Sequence, residues 1–315
     1  MGNTVVASGA PPPPSSPSSS TPDPPKRNDN PGTFEEIHKS TKDVFPNFFE
    51  GGRLMMQRGL SNHFQVTHII NLSSTDPSGY RFGATYVGSK QLGPAESYPI
   101  LLGDCDPSGN VSANLIHQFG ERIRAKAAAQ IQRSKYQATK LAADYMGDDF
   151  TASITLGNID VLKGSGVVVG HYLQKITKST SLGSEIAYQC GPMIPGGQLA
   201  VVSLAARYSG EKWTASGTLG GAGVHACYYQ KCSDQLQMGV EFETNTRAQK
   251  CVASIGYQVD IPRADLVFRG VVDSDWNIGS TLEKKLSPLP FTLALCGQFS
   301  HTENVFRMGC AFVIG

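Results

Sequence analysis

The feature that most constrains the fold is an alternation of apolar and polar residues with a period of two. Its clearest example is DQLQMGVEFETN (234–245), where Leu236, Met238, Val240 and Phe242 alternate with Gln, Gly and Glu. Successive side chains of a β-strand point to opposite faces. The segment is therefore predicted to be a strand with one apolar face and one polar face.

The same alternation recurs from Gly51 to the end of the chain. It is found in GYRFGATYVG (79–88), DDFTASITLGN (148–158), FTLALCGQFS (291–300) and FRMGCAFVIG (306–315). Between such runs stand turn-forming pairs of Gly, Pro, Asp and Ser. Residues 51–315 thus divide into roughly eighteen or nineteen strands of about ten residues each, joined by antiparallel turns. The absence of intervening helical patterns excludes a βαβ fold.

A strand face that is uniformly apolar must be covered by a second sheet or by lipid. Charged residues make up only 17% of the chain, against about 25% in typical soluble domains. The chain contains no run of about 18 apolar residues, so no transmembrane helix is predicted. In lipid, a sheet survives only by closing on itself, and strands of about ten residues suit such a barrel. The predicted fold class is all-β: a transmembrane β-barrel over 51–315 with a wide, wet lumen.

The N-terminal part divides into two segments. Residues 1–32 are rich in Pro and Ser, with little to bury, and are predicted to be a disordered tail. Residues 33–50 are predicted to form a short amphipathic helix and a linker, because Thr33 and Glu36 have the spacing of a capping box and Pro46 ends the pattern. This helix either packs in a core or lies against a wall.

The polar face of the strands supplies the candidate functional residues. The pattern places basic residues on the lumen side in one region and acidic residues in others, which predicts separate charged patches. Acidic patches in a wide pore would favour the passage of extended cationic peptides. In the alternative interpretation, the inward charges pair with one another and only keep the pore wet. The acidic candidates are Glu241, Glu243, Asp265, Asp273 and Glu283; the basic candidates are Arg122, Arg124, Lys126 and Arg269.

Composition and motifs argue against other functions. The 27 Lys and Arg residues balance 26 Asp and Glu residues, so the uniformly basic surface of a nucleic-acid-binding protein is not expected. The seven His residues are dispersed, and no His pair has metal-ligand spacing. Neither a metal nor any other cofactor is expected. No nucleophile or catalytic constellation is evident, so the chain is predicted not to be an enzyme.

Several stretches resemble the mitochondrial porin family, and within it the channel-forming subunits of the translocase of the outer mitochondrial membrane. They are KDVFP (42–46), GLSNHFQV (59–66), YVGSKQL (86–92), DFTASITLGN (149–158), SDQLQMGVEFE (233–243) and STLEKKLSPLPFTLAL (280–295). The resemblance runs from about residue 31 to residue 315, and the stretches are specific when taken together. The alternative within the same fold is a metabolite porin, the voltage-dependent anion channel.

The resemblance implies more than the residue pattern does. It implies nineteen strands, the first of them within GGRLMMQRGLS (51–61), with the first and last strands paired in parallel and the helix inside the pore. It also implies passage of unfolded precursor proteins through the mitochondrial outer membrane. The implied partners are receptor and small helical subunits on the outer wall, a second copy of the chain, and membrane lipid. The weakly alternating KLAADYMG (140–147) leaves one strand uncertain.

The last ten residues also resemble the sorting signal that mitochondrial barrels share. This signal has a polar residue, a glycine and two apolar residues at fixed spacing. Arg307, Gly309, Phe312 and Ile314 match these positions. Gln237, Gly239 and Phe242 nearly satisfy the same pattern, so the terminal position is the informative part.

We predict that replacing Phe312 and Ile314 with Asp or Gln blocks assembly into the membrane while synthesis continues. The substitutions remove the apolar positions of the signal and place polar groups on a face predicted to meet lipid. Native gel electrophoresis of imported protein checks this, and normal complex formation by the double variant would refute it.

Overall fold

The chain folds into one sheet of nineteen strands that closes on itself. The structure is a computed structural model and describes residues 30–315 except 74–77, 94–95, 134, 161–164, 193–195, 222 and 247. The predicted tail therefore lies almost wholly outside the described residues. The strands are β1 (Gly51–Gly59), β2 (Phe64–Leu72), β3 (Gly79–Gly93), β4 (Glu96–Cys105), β5 (Val111–Phe119), β6 (Ile123–Gln132), β7 (Lys135–Met146), β8 (Phe150–Asp160), β9 (Ser165–Lys175), β10 (Thr180–Cys190), β11 (Gln198–Ser209), β12 (Trp213–Gly220), β13 (Gly223–Lys231), β14 (Leu236–Asn245), β15 (Lys250–Ile261), β16 (Leu266–Asp273), β17 (Asn277–Lys285), β18 (Phe291–Ser300) and β19 (Val305–Ile314).

Each strand pairs antiparallel with the next, and the barrel is closed by a parallel pair. Strands β1 and β19 run side by side, with Gly51 opposite Gly309 and Met56 opposite Ile314. The predicted barrel and the nineteen strands implied by the resemblance are both confirmed. The uncertain segment 140–147 falls in β7, which pairs with β6 and β8.

Helical structure is short in the described part of the chain. A 3₁₀ turn spans Phe34–Glu36, α1 spans Lys39–Lys42, and a second 3₁₀ turn spans Pro262–Ala264. The Thr33 N–H donates to the Glu36 carboxylate at 3.4 Å, as one half of the predicted capping box. No helix among the described residues is long and apolar enough to cross a membrane.

The alternation in the sequence becomes two chemically different barrel surfaces. Large apolar side chains face outward and stay exposed, among them Ile186 (55%), Leu204 (58%) and Ile255 (51%). A soluble monomer rarely exposes a contiguous apolar patch above a few hundred Å², whereas this surface runs round the barrel. The outer wall is therefore a surface for the lipid hydrocarbon, and the strands span the membrane.

An aromatic girdle marks one end of the apolar wall. All odd-numbered strands end at this side, which we call the C-terminal rim because β19 ends there. Close below it on the outer wall, Trp213 lies between Tyr208 and Tyr228, with ring centroids 5.0 and 6.0 Å away. Phe150 similarly lies between Tyr145 and Tyr172, 5.9 Å from each. Such rings, apolar with a polar edge, suit the boundary between lipid and water.

Residues 30–50, which we call the N-terminal segment, cross the interior from rim to rim. At the C-terminal rim, the Asn30 amide donates to the Gly147 carbonyl at 2.7 Å. At the opposite rim the chain enters β1 at Gly51. In between, Ile37 and Val44 are buried at 1% and 0% exposure. The helix was expected either to pack in a core or to lie against a wall. The segment lies against the barrel wall and makes an apolar contact there.

The barrel closure and the N-terminal segment meet at Gly309 of β19. A Cβ atom at Gly309 would lie 2.3 Å from the Phe49 carbonyl oxygen, and the Phe49 ring is also in contact. At Gly297 of neighbouring β18, a Cβ atom would meet no heavy atom within 4 Å. A side chain at Gly309 must therefore displace backbone at the closing strand.

We predict that Gly309→Ala destabilises the barrel by about 1–3 kcal/mol, the usual cost of overpacking, while Gly297→Ala does not. The loss should appear as a lower unfolding temperature of the detergent-solubilised protein, followed by circular dichroism. Equal unfolding temperatures for the two variants would contradict this account of Gly309.

Candidate functional site

The candidate functional site is the inner face of the barrel. Its members follow from the strand register, because side chains alternate and neighbouring strands keep facing pairs on one side. The N-terminal segment identifies the inner side through its contacts with β9, β13 and β14. Seven of the nine charged residues predicted to face the lumen occupy inner-face strand positions: Arg124, Lys126, Glu241, Glu243, Arg269, Asp273 and Glu283.

The structure places the other two in turns at the C-terminal rim. Arg122 precedes β6, is exposed, and lies 3.3 Å from Asp148 of the next turn. Asp265 follows the second 3₁₀ turn in a left-handed conformation, with φ of 50°. Both residues lie just before a strand begins, where the backbone turns and the alternation of faces does not apply. The predicted inner-face position is therefore wrong for these two residues.

Opposite charges on the inner face are interleaved. Lys126 Nζ lies 3.1 Å from Asp144 of the facing strand, and Arg269 Nη1 lies 2.8 Å from Glu283. Arg269 also donates from Nε to the Gln258 side chain at 3.1 Å. The expectation of separate basic and acidic patches is thus wrong for these residues, because pleated neighbours of opposite sign neutralise each other across the strands.

Three candidates have no such partner. Among the described residues, no opposite charge lies within ion-pair distance of Arg124, Glu243 or Asp273. Glu243 is exposed and Asp273 is half-buried. No ion pair with a described residue neutralises these three side chains.

The N-terminal segment is held to the wall by polar contacts along its length. The Pro31 carbonyl accepts from Arg207 Nη2 at 2.5 Å. Lys140 Nζ lies 3.0 Å from the Glu35 carboxylate. This contact joins the first turn of the segment to β7.

His38 is held by hydroxyl groups of β12. Its Nδ1 is 2.9 Å from Ser216 Oγ, and its Nε2 is 2.8 Å from Thr218 Oγ1. These two contacts fix the orientation of the imidazole ring.

Strand glycines on the inner face receive the apolar side chains of the segment. Close contacts join Phe34 to Gly183, Thr41 to Gly239, Phe45 to Gly256, Phe48 to Gly279 and Phe49 to Gly309. A side chain at most of these positions would occupy the space of the segment. The alternation of apolar and polar residues does not reveal this set. A sequence signal does exist: glycine recurs at polar-face positions inside strands, where it is otherwise unfavourable.

The fold also assembles a cluster that sequence spacing does not reveal. His38 of the segment meets His225 and Cys227 of β13, with their ligand atoms all within 4.8 Å of one another. His225 Nε2 is 2.5 Å from the Glu241 carboxylate. These histidines have no metal-ligand spacing along the sequence, and they meet in the fold because His38 comes from outside the barrel wall.

Comparisons with known proteins identify the family of this chain. The profile of the eukaryotic porin family matches residues 30–309. The chain belongs to the eukaryotic porin family. Among solved structures, a triple mutant of the Rhodopseudomonas blastica porin aligns with a TM-score of 0.46 and 12% identity, over 72% of this chain and 94% of the bacterial one.

Curated relatives of this eukaryotic porin are similar over nearly the whole chain. The Drosophila melanogaster protein named mitochondrial import receptor subunit TOM40 homolog 2 is 55% identical over 91% of this chain and 84% of its own length. The human TOM40 homolog is 52% identical over 91% of this chain and 78% of its own length. The Caenorhabditis elegans homolog is 45% identical over 91% and 95%.

We predict that Ile37→Ala releases the N-terminal segment from the wall of this porin. Ile37 packs against buried Leu173 and Ala205, and truncating a buried Ile typically costs about 2–5 kcal/mol. Exposed Lys39 supplies the matched control, Lys39→Ala. Limited proteolysis of the reconstituted protein should cut 33–45 faster in Ile37→Ala only. Equal rates in both variants would contradict the prediction.

Proposed function

We propose that this porin is the protein-conducting channel of the mitochondrial outer membrane, through which unfolded precursor proteins are imported. The observation that carries the proposal is the 45–55% identity, over 91% of the chain, to proteins named mitochondrial import receptor subunits. The proposal assigns a passive channel and no enzymatic activity. A metabolite porin of the same fold is the competing function.

The character of the interior supports passage of a polypeptide. Charged inner-face side chains remain open to solvent, with Arg81, Glu283 and Arg307 exposed at 47%, 43% and 46%. The N-terminal segment therefore covers part of the wall without filling the barrel. A wet, polar lumen lets an extended chain keep its backbone hydrated, which a dry pore would not.

Two of the three unpaired inner charges are acidic, which supports a preference for cationic segments. Paired Arg269 and Glu283 present a nearly neutral surface, whereas Glu243 and Asp273 have no opposite charge within ion-pair distance among the described residues. Negative charge on a low-dielectric wall raises the local concentration of cations. We propose that these two carboxylates meet positively charged stretches of a passing precursor.

The outer wall supports the remaining partners. Its apolar belt suits lipid, and we propose that receptor subunits, small helical subunits and a second copy of the barrel dock on the same surface. Helices that pack on such a wall exchange lipid contacts for protein contacts, so close packing and interhelical polar contacts drive the association. We further propose that residues 307–314 carry the sorting signal that brings the barrel to this membrane.

Photo-cross-linking tests the conducting path. We expect a precursor arrested in transit to cross-link to a photoreactive amino acid at Glu243 and not to one at Phe242. The two positions are adjacent in β14 and face opposite sides: Phe242 is 41% exposed on the outer wall. The measurement is the yield of the precursor adduct from intact mitochondria.

The comparison between the two positions decides between the competing functions. Equal yields from both would contradict a path through the lumen. Absence of any adduct at Glu243, together with anion-selective flux in planar bilayers, would favour the metabolite porin.

A further inference from the structure

The cluster formed by His38, His225 and Cys227 joins two separate parts of the molecule. His38 belongs to the N-terminal segment, and the other two residues lie on the inner face of β13. Cys227 is buried at 4% exposure, and its Sγ is 3.3 Å from His225 Nε2. The Glu241 carboxylate of β14 reaches the same imidazole nitrogen. Two imidazoles and one thiol thus converge on one place, and the carboxylate contacts one of the imidazoles.

This combination of ligand atoms selects for one kind of ion. Two imidazole nitrogens with a thiolate suit Zn²⁺ and its neighbours in the first transition series, whereas Mg²⁺ and Ca²⁺ require oxygen ligands. Zinc sites with three protein ligands complete their coordination with water, so three side chains are sufficient here. The thiol releases its proton on binding, and the ion replaces it as the positive partner of the sulfur.

The surroundings are arranged as metal-binding histidines require. A ligating histidine usually holds its second ring nitrogen in a hydrogen bond, which fixes the ring. His38 has hydroxyl partners at both nitrogens, from Ser216 and Thr218. One hydroxyl can give way to an ion while the other keeps the ring in place. The His225 and Glu241 side chains are each 23% exposed toward the lumen, which leaves a path for entry.

We propose that His38, His225 and Cys227 bind one zinc-class divalent cation. Because His38 is the only ligand from the N-terminal segment in this set, the ion ties that segment to the barrel wall. The site goes beyond conduction itself: it sets how firmly the segment is held beside the path of a passing chain.

A second histidine–carboxylate pair on the inner face provides a control for the cluster. His171 Nε2 lies 3.1 Å from the Glu185 carboxylate on the same inner face, much as His225 pairs with Glu241. In the described part of the chain, no group of three or more potential ligands includes His171. His171→Gln therefore removes an inner-face histidine–carboxylate pair without touching the proposed site. Cys296→Ser does the same for a second buried thiol.

The experiment uses the full chain, folded in detergent micelles and titrated with Co²⁺. We expect one equivalent to produce the charge-transfer absorption of a thiolate–cobalt bond, which Zn²⁺ then abolishes by displacement. Cys227→Ser should lose the band. His38→Gln should weaken Co²⁺ binding at least about tenfold, the lower end of the loss seen when a ligand's hydrogen-bond partner is removed. His171→Gln and Cys296→Ser should behave as wild type.

Three results would overturn the proposal: no saturable band in the wild type, a band that persists in Cys227→Ser, or unchanged affinity in His38→Gln. Circular dichroism confirms that each variant is folded before titration. The readout is metal binding alone, so failure of this site leaves the conducting function standing, and failure of the conducting function leaves the site testable.

Discussion

The structure depends on the parallel hydrogen bonding between β1 and β19. With nineteen strands that otherwise pair antiparallel, the first and last strands must run in the same direction, so the closing pair cannot follow the pattern of the rest. It joins residues 51–56 to residues 309–314. Without it, two strand edges would face lipid with unpaired N–H and C=O groups, each costing several kcal/mol. Every other feature of the barrel presupposes this one contact.

The closure also fixes the interior, because the N-terminal segment leads directly into β1. Phe49 lies against Gly309 of the closing strand two residues before β1 begins, and Phe48 and Phe45 lie against glycines of nearby strands. The segment and the last strand thus share one contact surface. Glycine at these inner positions lets aromatic rings approach the strand backbone where any side chain would keep them away. Closure and docking of the segment are therefore mechanically coupled.

The sequence predicts those features of the fold that depend on neighbouring residues alone. Features that depend on residues far apart in the chain are not predicted. The alternation at Leu236, Met238, Val240 and Phe242 determines which face meets lipid, because it depends only on the pleat of one strand. The alternation predicts roughly eighteen or nineteen strands. The exact number and the parallel closure follow only from the family resemblance, because strands that pair across a long sequence separation leave no local periodicity. Arg122 shows that the alternation no longer predicts the face of a residue beyond the end of a strand.

The pairing of the interior charges and the metal-ligand cluster could not be predicted without the register of the strands in three dimensions. A lumen-facing charge can be recognised from alternation, but whether Lys126 faces Asp144 depends on how two strands are aligned. A shift of a single residue would exchange the faces. The meeting of His38 with His225 and Cys227 depends in addition on a segment that crosses the barrel. No spacing along the chain encodes that contact.

The balance of charges bears on how a pore can pass polypeptides of many sequences. Conduction requires sites that attract a chain strongly enough for entry and weakly enough for release. A continuous acidic wall would hold a cationic segment. On this inner face, ion pairs such as Arg269 with Glu283 neutralise much of the surface and leave isolated carboxylates such as Glu243. On the proposed function, the attraction for a precursor is thus divided among separated weak sites. A precursor can exchange one for the next without a deep minimum along its path.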